Sequence, residues 1–428
     1  MSVLPRELQY VPTLPSLGEN VVNTSVVISP TNGASFGEGS IIQFDLPQRG
    51  FLDPNSLYLR YKTSVIVGAS ANAAEMKGTP VYTPFVNLQT IFGSSVVENI
   101  QNYGQIQNML VNLTHNAAQK AGLSFAYGYQ DYLVSASTTT LGANLNGRTA
   151  AAASSTSYTV AAPLKCILSE SERLVPLCIM SGVRLQLTLD TIANMYTSTT
   201  VPTGFSLTNV ELCYDLVDFG VAVENVVRSM GEKIYIKSAS YACSNSTLAS
   251  GSSGTIDLLF NTRLSSVKSL FANFGGTSSA SLNKVYDSYD VTTSNGDYCF
   301  SVGGLQYPAR AVSTLNNKAG ACMEIKQGIG GCHSSQTNNF SISSAEFDLD
   351  GNDTTSYKIP AKFYFGQNLE KLSTNGALLT GLSTQSAPVG LRINAGTATA
   401  QAYNISVIAM YDALIEIETT SKNATVKQ

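Results

Sequence analysis

The sequence predicts an all-β protein made of two tandem β-sandwiches with one inserted amphipathic helix. Charged residues make up only 13% of the 428 residues, and Ser, Thr, Asn, Gln and Gly take their place, which favours strands and turns over helices. Short apolar or β-branched segments recur between turn-rich segments along most of the chain. Three strand-like landmarks occur twice in the same order, which indicates a duplicated domain.

The length fits two domains of ordinary size. A chain of 428 residues is too long for one ordinary core and comfortable for two domains of about 200 residues each. We divide it into an N-terminal arm at 1–20, a first sandwich at 21–225, a second sandwich at 226–418 and a C-terminal tail at 419–428. The joint is predicted near VENVVRSMGEKIYI, which starts at Val223.

The first half has an all-β rhythm after the arm. SVVIS and SIIQFDL flank a turn-rich segment, and SLYLRYKTSVIV alternates well enough for a long strand. KCILS, RLVPLCI, VRLQLTLD and FSLTNVELCYDLVDF follow as further predicted strands, separated by turns. In the long strand Arg60 and Lys62 alternate to the same side around Tyr61, which indicates the ordinary polar face of a strand.

One helix is predicted between these strands. A capping box of Ser95 and Glu98 marks its start, and Lys120 followed by Gly122 marks its end. Gly104 weakens the middle of this helix by about 1 kcal/mol relative to Ala. The apolar stripe at helical spacing consists of Val96, Ile100, Tyr103, Ile106, Leu110 and Leu113. We expect the helix to lie across the end of a sheet rather than to bind a partner.

Two low-complexity segments are predicted to be long surface loops. One covers residues 135–159, and the other covers residues 275–339 and contains GGTSSASLNK, TTSNGDY and KQGIGGCHSSQTNN. Their composition does not suit a core, and loops of this length are often functional.

The repeated landmarks indicate what kind of sandwich is duplicated. GSIIQF near the start of the first half corresponds to GTIDLLF in the second, and VRLQL near the end corresponds to VGLRI. A strand with a Tyr-Asp pair follows in each half, at Tyr214-Asp215 and at Tyr411-Asp412. With roughly eight strands and long loops per copy, the predicted form is the jelly roll, two antiparallel sheets packed face to face.

Charge and targeting signals exclude several classes of protein. The net charge of −4, without a cluster of Lys and Arg, argues against a nucleic-acid binder. The first 20 residues contain three prolines and no apolar segment, so we expect neither a signal peptide nor a membrane span. The chain is therefore expected in the cytosol or a similar compartment, and the sequons at Asn112, Asn245 and Asn404 are interpreted as chance products.

The cysteines do not form a recognisable site. Their number, seven, is odd, their spacing is irregular and no C-x2-4-C pair occurs. We expect reduced thiols, mostly in the core, with Cys322 and Cys332 in a glycine-rich stretch that could be exposed, and no zinc site.

Two stretches and the order of elements carry a resemblance to a known family. FLDPNSLYLRYK starts at Phe51, and LVPLCIMSGVRLQLTLD starts at Leu174. With the order helix, loop, V-x-L-x-L strand and Tyr-Asp strand, the chain resembles the double jelly-roll major capsid proteins of tailless icosahedral DNA viruses. Within that family it looks most like the polinton-like virus and virophage branch.

The resemblance implies a structural protein of the virion. It implies a homotrimer of pseudo-hexagonal outline that contacts neighbouring capsomers, penton proteins and minor capsid proteins. An internal membrane is a further candidate partner, and no sequence-specific contact with nucleic acid is implied. The capsid shell would be assembled in the host cytoplasm or nucleus. The two low-complexity segments would form a crown facing solvent, and the arm would be an inner tie between capsomers.

Three alternatives remain at the level of sequence. A surface adhesin or lectin-like β-sandwich fits the composition but usually needs an export signal. A jelly-roll coat protein of a small RNA or single-stranded DNA virus usually has a basic arm, whereas here Arg6 is balanced by Glu7 and Glu19. An enzyme acting on glycans needs paired acids and usually stacking aromatic residues, and the chain contains no Trp.

No residue is predicted to be catalytic, to bind a cofactor or to bind a metal. The densest acidic cluster, at Asp348, Asp350 and Asp353, lacks the downstream Glu of an EF-hand and is interpreted as an acidic turn. The two histidines, His115 and His333, form no triad that the sequence can support. GIGG, which starts at Gly328, lacks the Lys-Ser/Thr of a phosphate loop.

Overall fold

The computed structural model describes most of the two predicted sandwiches. The described residues are 21–67, 75–129, 155–197, 202–229, 231–277, 286–292, 296–315, 318–330, 342, 347, 361–371, 379–399 and 401–428. The arm at 1–20 and the acidic cluster at Asp348, Asp350 and Asp353 lie outside them, as do Cys332 and His333.

The first half consists of strands and short helices up to a linker helix. Its elements are β1 (Val22–Ile28), β2 (Ser35–Phe36), β3 (Ile41–Leu46), β4 (Phe51–Leu52), β5 (Tyr58–Ile66), β6 (Glu75–Met76), β7 (Phe85–Phe92), β8 (Ser95–Gln101), α1 (Tyr103–Thr114), α2 (Ala117–Gly122), α3 (Ser124–Tyr127), β9 (Ser155–Pro163), β10 (Val183–Leu189), α4 (Ile192–Met195), β11 (Tyr196–Thr197) and β12 (Gly204–Asp218). The linker helix is α5 (Val221–Ser229).

The second half contains one helix among its strands in the described residues. Its elements are β13 (Lys233–Leu248), β14 (Gly254–Phe260), β15 (Val267–Gly276), β16 (Asp297–Val302), β17 (Leu305–Ser313), α6 (Ala319–Gly328), β18 (Phe365–Asn368), β19 (Val389–Ala395), β20 (Tyr403–Glu418) and β21 (Ala424–Lys427).

The two halves repeat one sheet order. In the first half, the sheets run β1-β12-β5-β9 and β3-β10-β7-β8. In the second half, they run β13-β20-β15-β18 and β14-β19-β16-β17. The first, second and last principal strands of each half therefore occupy the same places, and all these pairings are antiparallel. The chain has the predicted double jelly-roll fold, with four principal strands in each sheet.

The strand register confirms the repeated landmarks. Val183 of β10 pairs with Leu46 of β3, and Val389 of β19 pairs with Phe260 of β14. These registers align Ile256 with Ile42. Matching GSIIQF and GTIDLLF letter by letter aligns Ile256 with Ile41 instead. The two halves therefore match with an offset of one residue at this landmark.

Alternation places the apolar residues of the landmark strands in the cores. In β10, Val183, Leu185, Leu187 and Leu189 are buried while the residues between them are half-buried. In β5, Leu59 and Tyr61 are buried, whereas Arg60 and Lys62 point to the other side as predicted. Burying each such side chain contributes about 1.5–3 kcal/mol, which fixes the register of each strand.

The number and position of the helices differ from the prediction. The described residues contain six α-helices instead of one. The segment from Ser95, predicted as the first turn of a helix, is the edge strand β8, and the helix starts at Tyr103. Val96, predicted on the apolar stripe, is 54% exposed. The pairing of β8 with β7 outweighs the local capping signal.

Two segments predicted as strands form turns, and one region predicted as a loop contains strands and a helix. KCILS forms a turn, and RLVPLCI forms a short bridge and a 3-10 turn rather than a strand. The low-complexity region at 275–339 contains β16, β17 and α6, and Tyr298 and Phe300 within it are fully buried. Residues 155–159 of the other low-complexity segment belong to β9.

The chain direction gives each sandwich two distinct ends. We call the end at which β1 begins and α5 lies the linker end, and the opposite end the loop end. The C-terminal strand β21, which pairs with the last residues of β20, is at the linker end. Strand β9 begins at the loop end, because its first residue, Ser155, pairs with Ile66, the last residue of β5.

Candidate assembly surfaces

The Tyr-Asp pair of the first half anchors the loop that precedes β5. Tyr214 points into the core and is 1% exposed. The backbone N–H of Asp215 donates to Ser56 Oγ at 2.7 Å, and the N–H of Asp53 donates to the carbonyl of Asp215 at 3.1 Å. The Asp215 carboxylate accepts a hydrogen bond from Ser25 of β1. The pair is therefore structural.

The Tyr-Asp pair of the second half anchors the loop that precedes β15. Tyr411 is 3% exposed, and the N–H of Asp412 donates to the carbonyl of Ser266 at 2.9 Å. The buried Asp412 carboxylate accepts from Ser266 Oγ at 2.7 Å and from the N–H of Thr380 at 2.9 Å. Each half thus uses the Tyr-Asp strand to fasten the start of its third sheet strand, which explains why the motif is written twice.

A buried carboxylate joins the two sandwiches. Glu98 of β8 is 1% exposed and accepts from Thr90 Oγ1 at 2.6 Å within the first sandwich. It also accepts from the N–H of Ile167 at 2.9 Å and from Ser240 Oγ of β13 in the second sandwich. Burial raises the pKa of Glu98, and the hydrogen bonds from Ser240, Thr90 and Ile167 oppose that rise. We call this contact the Glu98 seam.

An amide at the start of α1 adds a second link across the seam. Asn102 adopts a left-handed conformation with φ of 54°, and its side chain does not cap α1. Instead its amide donates to Asn245 Oδ1 at 2.8 Å and Ser406 Oγ at 3.1 Å. Asn245 and Ser406 belong to β13 and β20, so these bonds hold the helix against the second sandwich.

Helix α1 is packed between the two sandwiches rather than across the end of one sheet. Gly104 lies so close to its neighbours that an added Cβ would meet the carbonyl oxygens of Tyr82 at 2.6 Å and Phe85 at 3.0 Å. From the second sandwich, the Tyr286 hydroxyl would be 3.0 Å from the same Cβ. On the following turns the side chain of Asn112 donates to the Tyr364 hydroxyl at 3.3 Å. The sequon at Asn112 is therefore buried in the seam.

The linker end presents an apolar groove. It lies between α5, β4 and the start of β13, and it has a volume of about 450 Å³. Phe51 and Phe219 meet edge to face in it, with 5.3 Å between ring centroids. Val223 and Val227 of α5 form its helical wall, and no residue of α5 is buried. We call this feature the linker groove.

The outer faces of two sheets carry a repeated ion pair. In the first half, Arg184 Nε lies 2.6 Å from Asp45 Oδ1 across β10 and β3. In the second half, Arg392 Nε lies 2.8 Å from Asp257 Oδ1 across β19 and β14, the corresponding strands. All four side chains are exposed, so each pair contributes little stability and mainly keeps an arginine neutralised on that face.

The described thiols and the described histidine lie in buried or half-buried positions. Within them no group of three or more His, Cys, Asp or Glu side chains could hold a metal ion. Burial raises the pKa of the Cys166 thiol to about 12 and that of Cys178 to about 11, which keeps both thiols unreactive at neutral pH. His115 lies beside Thr114, and burial together with Lys120 lowers its pKa.

The remaining sequence candidates have structural positions or lie outside the described residues. Arg60 pairs with Glu211 across the polar face of its sheet, with Nε and Oε2 2.8 Å apart. Gly328, the first residue of GIGG, ends α6 and packs against Phe271. No helix of the described part is long and apolar enough to cross a membrane.

Sequence reasoning missed the two residues that organise the seam. The predicted capping-box role of Glu98 is wrong, because Glu98 lies in strand β8, and no sequence motif marks Asn102. The role of Glu98 cannot be read from its neighbours in the sequence, because its partner Ser240 lies 142 residues away. A repeat of the sandwich predicts that a seam exists, and only the packing identifies its residues.

No protein-family model matches the sequence, and no curated protein matches it significantly. Solved structures match over nearly its whole length. The PBCV-1 virus capsid aligns with a TM-score of 0.60 and 9% identity, covering 96% of this chain and 97% of that chain. The Faustovirus major capsid protein aligns with a TM-score of 0.60 and 10% identity, covering 96% and 92%. The Sputnik virophage structure aligns with a TM-score of 0.58 and 13% identity, covering 100% of this chain and 92% of that chain.

These similarities show the fold. The chain has the double jelly-roll fold found in viral major capsid proteins, as the sequence resemblance implied. The matched structures are a virus capsid, a major capsid protein and a virophage. The TM-scores of 0.60 for PBCV-1 and 0.58 for the virophage Sputnik are alike, so the polinton-like and virophage branch stays a prediction.

Proposed function

We propose that the protein is a major capsid protein whose homotrimers form pseudo-hexagonal capsomers that tile an icosahedral virus shell. The observation that carries the proposal is the repetition of one jelly-roll sheet order in a single chain, with a hydrogen-bonded seam between the copies. Three such chains around a threefold axis would place six similar sandwiches in a ring. That arrangement gives a nearly hexagonal building block from one polypeptide.

The composition and surfaces support a role in assembly. Subunit contacts in permanent oligomers bury more than about 2,000 Å², and charged groups raise the cost of that burial. Only 13% of the residues are charged, and the arginines Arg184 and Arg392 on the outer sheet faces are neutralised by partners within the chain. Exposed apolar residues on β1 and α5, such as Val27 and Val221, offer contact area.

The two ends of the sandwiches support an orientation in the shell. The residues that flank 130–154 lie at the loop end, which is the end that we propose to face solvent as a crown. Val22, α5 and β21 lie at the linker end, which we propose to face inward toward minor proteins, penton neighbours or a membrane. The domain limits at 21–225 and 226–418 are kept as a proposal, with the joint inside α5.

Light scattering of the purified protein tests the proposal. The chain has a mass of 45.3 kDa, so a stable species of about 136 kDa is expected over a wide range of concentration. Negative-stain images of the same peak should show particles of hexagonal outline. A folded species of 45.3 kDa at every concentration would contradict the trimer and favour the adhesin or lectin-like alternative.

A further inference from the structure

We propose that the linker groove binds residues 11–17, VPTLPSL, of the same chain. The inference concerns a contact within one polypeptide and goes beyond the proposed capsid function. It holds whether or not the protein forms capsomers. Three independent features support it: the chemistry of the groove, the sequence of the segment and the length of the spacer between them.

The groove has the chemistry of a site for proline-containing peptides. Phe51, Phe219 and Tyr235 line it together with Pro176. Aromatic-lined grooves bind extended proline-rich segments, because the rings pack against the proline rings and the peptide is already extended before it binds. Tyr235 is 48% exposed and Val223 is 39% exposed, so the groove offers apolar surface to an additional segment.

The segment has the complementary sequence. Pro12 and Pro15 are separated by two residues, the spacing of proline motifs that dock in such grooves. Val11, Leu14 and Leu17 add apolar side chains, and no charged residue occurs between 8 and 18. Each proline fixes one backbone angle, which lowers the entropy cost of docking an extended chain.

The spacer has the length that the geometry requires. Val22, the first residue of β1, pairs with Asp218 on one side of β12, and Phe51 pairs with Val217 on the other side. Two strand spacings therefore separate β1 from β4, about 10 Å. The four residues 18–21 can span up to about 13 Å. A segment tethered at this distance reaches its own groove at a high effective concentration.

Photo-crosslinking of the full-length protein tests the contact. A photoreactive phenylalanine analogue at Thr13 is expected to crosslink to peptides that contain Val223 or Tyr235 when the products are read by mass spectrometry. The same analogue at Ser2, which lies outside the docking segment, should not label the groove. Labelling of another surface from Thr13, or of none, would overturn the proposal.

A pair of matched variants and an isotope mixture complete the test. Val223→Glu places a charge in the groove and should lower the crosslink yield at least tenfold. Val221→Glu makes the same change on the same helix at a residue that does not line the groove and is 72% exposed, so its yield should equal that of the wild type. Equal yields from both variants would overturn the proposal.

A mixture of isotopically heavy and light protein tests whether the docking occurs within one chain. Crosslinks should join peptides of the same isotope, and crosslinks of mixed isotope alone would overturn the docking within one chain.

Discussion

Replacing Glu98 with alanine is expected to lower the free energy of unfolding by about 3 kcal/mol. The change removes the acceptor of three buried donors, the hydroxyls of Thr90 and Ser240 and the N–H of Ile167. The two hydroxyls can turn toward other acceptors, whereas the backbone N–H has a fixed direction and stays unpaired. Urea unfolding at a fixed protein concentration measures the loss.

Two variants separate the seam from a general effect of losing a carboxylate. Glu232→Ala removes an exposed glutamate at the start of the second sandwich and should change stability by less than about 0.5 kcal/mol. Glu98→Gln keeps a carbonyl for the Ile167 N–H and should cost less than Glu98→Ala. If Glu98→Ala were as stable as Glu232→Ala, the seam would contribute nothing to the fold.

The raised pKa of Glu98 also sets the direction of a pH effect. Because the native pKa lies above the ordinary value of 4.5, the native state keeps the proton to a higher pH than the unfolded state. The stability that this proton contributes is complete below pH 4.5 and is lost as the pH rises through the native pKa. The stability of the wild type relative to Glu98→Gln should therefore fall from pH 4.5 upward, and a difference that rises with pH would contradict the assignment.

Replacing Gly104 with alanine is expected to destabilise the protein by about 2 kcal/mol. Overpacking costs about 1–3 kcal/mol, and here the closest atoms are the backbone carbonyls of Tyr82 and Phe85, which cannot rotate away. Alanine favours a helix over glycine by about 1 kcal/mol, and this gain reduces the net loss. The decrease in urea midpoint at constant slope measures the effect.

Gly122→Ala is the matched control for Gly104→Ala. Gly122 ends α2, and a Cβ added there would meet nothing within 4 Å. The same substitution should therefore be neutral or slightly stabilising, because it only restricts the unfolded chain. If both variants behaved alike, the close approach of α1 to the two sandwiches would not matter for stability.

The repeat could be predicted from the sequence because it is written in strands that face a core. Val183 and Val389 start the same strand in both halves, and Tyr214 and Tyr411 point into the two cores. Burial requires apolar residues at every second position, and this pattern survives while the rest of the sequence changes. Three such strands in order were enough to predict two copies of a jelly roll.

The errors arose where a distant partner decides the structure. Ser95 and Glu98 satisfy a local helix signal, but β7 and Ser240 determine that this segment is a strand. Tyr298 lies within a low-complexity segment, but its ring is buried against Phe365, with centroids 4.6 Å apart. Gly104 counted as a weak point of a helix, although the approach of Tyr82 makes glycine necessary there. Local propensity contains none of these contacts.

The position of the last strand in each sheet governs the order in which a new chain can fold. Strand β12 lies between β1 and β5, and its Tyr214 pairs with Val26 of β1. Val26 is synthesised long before Tyr214, so β1 leaves the ribosome without its partner strand. β20 lies between β13 and β15 in the same way, near the C-terminus. Until these strands emerge, each sheet has a gap at its centre and two unpaired edges. A chain that stops before residue 403 therefore lacks the central strand of its second sandwich and cannot complete that sheet.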